Sequence, residues 1–261
     1  GGAGLSSAIW LAAVLVGLGL LAMVVYMLFD TKLNSQIEKP EIKSDDNKFA
    51  ISDIFSILSN RTFIYIALLC VTFYSAVFPF MAFAPDFFFH KFGMSYEQSG
   101  QIASLLPLGT LIFTPVFGFI IDKYGKAATA MIFGSAVLVV VYSGFTFTNI
   151  YPYVPMILLG ISFSLIPAAM WPSLVKLVDY TQMGTAYGMM YSIQNLGLFS
   201  IPIVAGTILD YTNPGSPDTL NYTPAILLFL VLGFLGLIFA ALLKREDRKR
   251  GCGIDLPMNK V

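Results

Sequence analysis

The chain of 261 residues is 57% hydrophobic and 11% charged, with equal numbers of basic and acidic residues. Soluble domains carry about 25% charged residues, so this composition excludes an ordinary water-soluble protein and indicates one that mostly faces lipid or other apolar helices. The net charge of zero provides no general basic field for nucleic acid. The two cysteines, Cys70 in an apolar stretch and Cys252 in a polar tail, indicate neither a disulfide nor a metal site.

Seven apolar stretches approach or exceed the roughly 20 residues that an α-helix needs to cross a membrane. In chain order they are residues 5–29, 62–85, 98–121, 127–148, 153–178, 184–209 and 223–243. The pattern predicts an all-α polytopic membrane protein. It divides the chain into a first transmembrane helix at 1–29, a linker at 30–61, a six-helix bundle at 62–243 and a polar tail at 244–261.

The linker at 30–61 has two parts. The first part is rich in charged residues and lacks apolar periodicity, which predicts a flexible connection. In the second part Ser52 and Asp53 are typical of a helix cap. The apolar residues that follow them predict a short helix lying on the membrane surface. These residues are Ile54, Phe55, Ile57 and Leu58.

The orientation follows from the distribution of lysine and arginine. Fourteen of the 15 basic residues fall on one side of the predicted spans, and only Lys91 falls on the other. Loops that remain in the cytoplasm carry the excess of positive charge, so the linker and the tail are predicted to be cytoplasmic. The first residue is then predicted to lie outside the cell or in a lumen.

The nine residues 118–126, GFIIDKYGK, form the predicted cytoplasmic loop between the third and fourth spans. Glycine permits a left-handed or closely packed backbone here, and a carboxylate is suited to the free N–H groups at a helix start. One alternative is an ordinary cytoplasmic turn. The spacing, however, resembles the conserved loop motif of the major facilitator superfamily, which implies a role in gating for five residues. These are Gly118, Asp122, Lys123, Gly125 and Lys126.

The resemblance to this superfamily also implies an architecture. Its members have two six-helix halves that are joined by a cytoplasmic linker, and the substrate site lies between the halves. The first span would be the last helix of the amino-terminal half, and spans two to seven would be the carboxy-terminal half. Because the chain begins Gly1-Gly2 without methionine, we expect it to be a piece of a longer protein, with its partner, the amino-terminal half, elsewhere.

Polar and aromatic side chains in spans two, five and six are candidates for contact with substrate in a central cavity. Aromatic residues also serve as lipid-facing bulk, and paired amides also form structural hydrogen bonds between helices, so these alternatives stay open. The predicted substrate contacts are Tyr74, Phe78, Trp171, Tyr191, Gln194 and Asn195.

Span six also carries small residues at every fourth position, namely Gly184, Gly188 and Ser192. Such a stripe predicts close packing against another helix. No Asp, Glu, His, Lys or Arg lies deep in a predicted span, and the only histidine, His90, falls in a predicted outside loop. Proton relays and charged ligand anchors would therefore lie in the amino-terminal half, unless transport is uncoupled.

Five stretches together show a closer resemblance: SAVFPF at 75–80, KFGMS at 91–95, AAMWP at 168–172, GTAYGMMYSIQNLG at 184–197 and AGTILD at 205–210. They are similar to the lysosomal dipeptide transporter family, called major facilitator superfamily domain-containing protein one, and to its bacterial relatives. The resemblance implies uniport of dipeptides without a cofactor, and in animals a glycosylated accessory partner. It covers most of spans two to six.

Other functions remain as alternatives. Within the superfamily, the alternative is a carrier of sugars or organic anions, although the predicted cavity holds no Arg or Lys for an anion. A seven-helix receptor would not explain the positive loop, and an enzyme would need a catalytic couple or metal cluster that the sequence does not show. The short outside loops favour a bacterial inner membrane, with the lysosomal membrane as the alternative.

Overall fold

The computed structural model describes residues 2–34, 51–215 and 220–257; residues 35–50, half of the predicted linker, lie outside the described residues. A 3-10 turn, Tyr180–Gln182, precedes α8. The helices are α1 (Gly2–Asn34), α2 (Ile51–Ser59), α3 (Arg61–Phe92), α4 (Tyr96–Ala103), α5 (Leu105–Tyr124), α6 (Ala127–Phe147), α7 (Tyr153–Val175), α8 (Met183–Thr212) and α9 (Thr223–Arg250).

The described residues contain seven helical segments that are long and apolar enough to cross a membrane, which confirms the seven predicted spans. The first of them lies in α1, which belongs to a compact unit of its own. The other six come from α3 to α9, with α4 and α5 together supplying one span. The fold class predicted from the sequence is therefore confirmed.

The third span is interrupted, although the sequence predicted one continuous helix at 98–121. Ser95 and Gln98 form a capping box that starts α4, and the chain then breaks at Ser104 before α5 begins. Proline has no N–H group, so Pro107 cannot donate the helical hydrogen bond to the carbonyl of Ala103. The break lies in the turn where that bond is missing.

α3 and α9 each run about seven residues past their predicted ends at 85 and 243. α3 continues to Phe92, so His90 lies in its last turn and not in a loop, as the sequence had predicted. The imidazole of His90 is 3.6 Å from the carboxylate of Asp86, one turn earlier in the helix. α9 continues to Arg250, where an Arg250–Glu246 ion pair one turn apart supports the last turns.

α2 corresponds to the short helix predicted in the second part of the linker. It begins at Ile51, so Ser52 and Asp53 lie inside its first turn and do not precede the helix as a cap. Asp53 instead accepts a hydrogen bond from the side-chain amide of Gln182 at 3.2 Å. Ile57 is buried whereas Phe55 is exposed, which gives α2 one face toward the protein and one apolar face away from it.

The six spans of α3 to α9 pack as an open ring. The most extensive helix contacts follow the order α5, α7, α6, α9, α3 and α8, so α5 and α8 are the two ends of the ring. α3 and α7 also contact each other, and α7 has a smaller contact with α8. One side of the ring, between α5 and α8, therefore remains open within this unit.

The closed side of the ring is packed with aromatic residues. Phe80 makes edge contacts with Tyr142 and Phe229, and the Tyr142 hydroxyl donates a hydrogen bond to the Ala76 carbonyl at 2.6 Å. A buried hydroxyl needs such a partner, and bonding to a carbonyl of α3 fixes α6 against that helix. This core holds α3, α6 and α9 together, and α7 and α8 pack against them.

Candidate functional site

An aromatic cluster lies where α3, α7 and α8 meet. It brings together four of the six residues predicted to contact substrate, and it adds Phe163 and Tyr187, which the sequence analysis did not include. Phe163 lies eight residues before Trp171 in α7, a helical spacing that could have indicated it. The members of this aromatic cluster are Tyr74, Phe78, Phe163, Trp171, Tyr187 and Tyr191.

Trp171 is the centre of the aromatic cluster. Its indole N–H donates a hydrogen bond to the Tyr74 hydroxyl at 3.0 Å, and its ring stacks on Tyr191 with centroids 4.7 Å apart. Tyr187, one turn before Tyr191 in α8, stacks on Trp171 with centroids 5.8 Å apart, and its hydroxyl donates a hydrogen bond to the Trp171 backbone carbonyl at 3.0 Å. The indole is thus held by one hydrogen bond and by ring contacts, and the Trp171 backbone is held by a second hydrogen bond.

The side chains of the aromatic cluster differ in exposure, from buried at one end to exposed at the other. Tyr74 is only 7% exposed, whereas Phe78 is 47% and Tyr191 is 52% exposed. Tyr74 stacks on Phe78 at 5.7 Å, and Phe163 meets Phe78 edge-on at 5.4 Å. Exposed aromatic faces of this kind can stack on planar groups or contact a cation.

The two amides predicted to contact substrate lie in different environments. Gln194 is 7% exposed and faces α3, where the Cys70 thiol donates to its amide oxygen at 4.0 Å. Asn195 is exposed, and its amide nitrogen donates to the Tyr191 carbonyl at 2.8 Å. The structure therefore brings Asn195, and not Gln194, to the open side beside Tyr191.

The stripe of small residues in α8 also lies on the exposed surface. A Cβ atom added at Gly184 or Gly188 would have no neighbour within 4 Å, and the Ser192 hydroxyl bonds to its own helix. The close approach of α8 to α3 occurs instead at Gly197, where an added Cβ would lie 2.1 Å from Ser75 Oγ. The helix predicted to pack on the stripe is not among α2 to α9.

The loop of the GFIIDKYGK motif joins α5 to α6 through two residues with positive φ, Gly125 at 72° and Lys126 at 64°. Lys126 is the only non-glycine residue with a positive φ in the described ranges. Asp122 is exposed in the last turn of α5, and the ammonium of Lys123 lies 5.6 Å from the Phe119 ring. A Cβ atom added at Gly118 would have no neighbour within 4 Å, which leaves this face of α5 open.

The start of α6 is capped by Asp255, a residue that the sequence analysis did not identify. One carboxylate oxygen of Asp255 accepts hydrogen bonds from the backbone N–H groups of Ala128 at 2.9 Å and Thr129 at 3.3 Å. The Asp255 carbonyl also accepts from the N–H of Lys126 at 2.8 Å. Asp122, the carboxylate expected to suit a helix start, makes no hydrogen bond to α6 and is exposed.

Asp255 belongs to residues 251–257, a segment after α9 that we call the carboxy-terminal strap. The Lys176 ammonium donates to three strap carbonyls, those of Gly253, Ile254 and Leu256, at 2.6 to 3.4 Å. Burial lowers the pKa of Lys176, and nearby carboxylates act in the opposite direction. Asp247 of α9 accepts from the Ile254 N–H at 2.9 Å. The strap thus connects α7, α9 and the α5–α6 loop.

A family model described as Major Facilitator Superfamily matches residues 1–202 and, in a second overlapping match, residues 80–254. The matched region covers most of the chain and includes the motif loop and the aromatic cluster. The chain therefore belongs to the Major Facilitator Superfamily.

Individual curated proteins show a narrower similarity within this superfamily. The chain is 38% identical to a lysosomal dipeptide transporter MFSD1 from Homo sapiens over 186 residues, which is 71% of this chain and 38% of that protein. Proteins of the same name from Mus musculus and Gallus gallus are 41% and 42% identical, over 56% of this chain and 32% and 33% of theirs. The chain thus spans less than half of the length of these relatives.

Proposed function

We propose that the protein moves small solutes across a membrane by alternating access, and that its substrates are dipeptides carried by uniport. The observation that carries this proposal is the packed, partly exposed aromatic cluster on the open side of the ring, between the two end helices α5 and α8. In the superfamily the second half closes such a side, and the substrate lies between the halves. The names of the relatives supply the substrate class.

The chemistry of a dipeptide fits this surface in part. A dipeptide carries an ammonium and a carboxylate, and both lose water on entering a cavity. The aromatic cluster supplies ring faces for a peptide plane or side chain, and Asn195 supplies a neutral amide beside Tyr191. We propose that Phe78, Trp171, Tyr191 and Asn195 contact the substrate, with Tyr74 holding the indole.

Both substrate charges require partners that the aromatic cluster does not contain. We propose that charged residues of the amino-terminal half hold the two termini, while this half contacts the peptide unit and side chains through neutral groups. Loose polar and aromatic contacts tolerate many side chains, so selectivity is expected to be broad. Gln194 supports this surface from behind through its contact with Cys70.

The gating role of the motif loop belongs to the same proposal. We propose that Asp122, exposed at the end of α5, meets the start of a helix in the amino-terminal half when the cytoplasmic side closes. The partial positive charge of a helix start favours a carboxylate there. Asp255 already caps α6 and Asp122 makes no hydrogen bond there, which leaves Asp122 available for this role.

The compartment and the accessory partner depend on the source of the chain. The short predicted outside loops favour a bacterial inner membrane, and the names of the relatives support the lysosomal membrane. For a lysosomal protein the proposal includes a glycosylated accessory subunit, as the family resemblance implies. For a bacterial protein it includes none.

Counterflow with the full-length protein in liposomes tests the proposal. Vesicles preloaded with unlabelled alanyl-alanine should accumulate labelled alanyl-alanine without any ion gradient, whereas glucose or succinate preloading should not drive this accumulation. Empty liposomes and the Trp171→Ala variant serve as controls. Labelled glucose or succinate can be tested in the same way. If vesicles preloaded with glucose or succinate accumulate that labelled solute, and no counterflow occurs with the dipeptide, the protein is a sugar or anion carrier and the dipeptide proposal is wrong. Accumulation that requires a proton gradient would contradict uniport.

A further inference from the structure

We propose that the carboxy-terminal strap holds the motif loop in place, and that Asp255 is the residue that positions this loop for transport. This inference rests on the proposed function, because it assigns a role in gating. It starts from the loop itself. Lys126 occupies the cap position of α6 in a left-handed conformation and makes no side-chain hydrogen bond to the helix start. Left-handed non-glycine residues are uncommon and persist where their surroundings hold them.

Asp255 supplies what the loop lacks. Its carbonyl accepts from the Lys126 N–H, and its carboxylate accepts from the N–H groups of Ala128 and Thr129. Its second carboxylate oxygen lies 3.5 Å from the Thr129 hydroxyl and 3.8 Å from the Lys244 ammonium. One residue therefore satisfies three backbone donors at the helix start, where a negative charge is favoured.

The loop and the strap are also complementary in shape. A Cβ atom at Gly125 would lie 2.3 Å from the Asp255 carbonyl oxygen, so the two backbones approach as closely as glycine allows. A residue with a side chain at position 125 would have to displace the strap. Gly125, one of the motif residues, thus has a structural partner in the strap.

The strap is held on its other side by elements that do not belong to the loop. Lys176 at the end of α7 binds three of its carbonyls, and Asp247 of α9 binds the Ile254 N–H. Ile254 is completely buried. The strap therefore links the loop conformation to α7 and α9. Both helices lie within the contact order of the ring, whereas α5 is one of its two ends.

This connection bears on gating because Asp122 lies one turn before Gly125. The strap holds the loop and the end of α5 in one arrangement, in which Asp122 is presented on the surface. Loss of the strap contact should leave the loop with several conformations, of which only some present Asp122 correctly. The equilibrium then shifts away from the state closed on the cytoplasmic side.

Two thiol reporters test the inference in the full-length protein. Cys252 lies in the strap, partly buried with its sulfur 3.8 Å from the Thr62 hydroxyl, and a Cys252→Ser variant identifies its share of any labelling. Asp255→Ala should raise the labelling rate of Cys252 about fivefold, as expected for loss of a helix cap. Asp255→Asn should raise it less, because its amide oxygen can still accept from the N–H groups. Asp179→Ala, an exposed acid near the same end, is the matched control.

The second reporter is Thr114→Cys on the exposed face of α5, in the Cys252→Ser background. In the Asp255 variants, an impermeant reagent added on the cytoplasmic side should label this cysteine faster. Uptake of alanyl-alanine should show a lower maximal rate with an unchanged KM, since Asp255 does not touch the substrate.

Each outcome decides a separate point. Unchanged labelling of Cys252 would show that Asp255 does not hold the strap. Faster labelling of Cys252, with Thr114→Cys labelling and maximal rate as in the parent protein, would show that the strap only packs the fold. A parent protein that does not transport the dipeptide would overturn the proposed function instead, and the Thr114→Cys reporter would still decide the gating role of the strap.

Discussion

The indole N–H of Trp171 in α7 donates a hydrogen bond to the hydroxyl oxygen of Tyr74 in α3, with the two heavy atoms 3.0 Å apart. This bond joins two helices at the buried base of the aromatic cluster and orients the indole toward Tyr191. The position of the stacking surface therefore depends on a residue that is itself only 7% exposed.

Removal of this bond should weaken dipeptide binding without unfolding the protein. Tyr74→Phe keeps the ring contacts and removes the acceptor, and a neutral hydrogen bond contributes roughly 0.5–1.5 kcal/mol, or about two- to tenfold in affinity. The measurement is dipeptide-induced thermal stabilisation across a concentration series. Tyr65→Phe is the matched control, because it removes a hydroxyl from the same helix outside the aromatic cluster. Equal affinities in Tyr74→Phe and the parent protein would contradict the role of the bond.

The two adjacent amides of α8 should give different results when they are replaced. Asn195→Ala should lower dipeptide affinity about two- to tenfold and leave the melting temperature of the ligand-free protein nearly unchanged, because Asn195 is exposed beside Tyr191. Gln194→Ala should lower that melting temperature, because it leaves a cavity against Cys70. The same thermal assay without and with dipeptide separates the two effects. The opposite pattern would place Gln194, and not Asn195, in the binding site.

Asp122→Asn should reduce transport while the protein still folds and inserts. Asp122 is exposed, and surface substitutions change stability by about 0.5 kcal/mol or less. The proposed interaction with a helix start of the other half, however, requires the negative charge. Uptake is measured at matched expression, with Asp179→Asn as the control acid at the same end. Parent-like uptake by Asp122→Asn would refute the gating role.

Gly197→Ala should destabilise the bundle by about 1–3 kcal/mol, which is the typical cost of overpacking. An added Cβ would lie 2.1 Å from Ser75 Oγ and 2.5 Å from Val71 Cγ2, so α3 and α8 would have to separate or repack. Gly206→Ala in the same helix is the control, because its added Cβ has no neighbour within 4 Å. Thermal unfolding in detergent compares the two. A Gly197→Ala protein as stable as Gly206→Ala would show that the contact is easily relieved.

The predicted topology is open to a labelling experiment. Cys252, after the basic end of α9, should react with an impermeant thiol reagent only from the cytoplasmic side, because basic residues concentrate there. Ser216→Cys should react only from the other side; residue 216 lies outside the described residues. Both are compared with Cys252→Ser in sealed vesicles of known orientation. Labelling of Ser216→Cys from the cytoplasmic side would reverse the orientation.

The sequence by itself determined the seven spans and the helical fold class. A segment in lipid has to satisfy its backbone hydrogen bonds internally, so a long apolar stretch commits the chain to a helix whatever its neighbours are. Motif residues, a loop between two spans and several aromatic residues of the site could be found for the same reason, since each depends on local composition and spacing. Trp171 and Tyr191, which stack in the aromatic cluster, were predicted as substrate contacts in this way.

The tertiary structure decided which face of each helix meets which neighbour. Gln194 and Asn195 are adjacent in sequence, but a helix turns about 100° per residue, and only packing against α3 shows that Gln194 is the buried one. Likewise, Asp255 caps a helix start 127 positions earlier in the chain, and the local sequence of neither segment contains a signal for that contact. A strap that binds through backbone carbonyls has almost no sequence pattern, because every residue carries that acceptor.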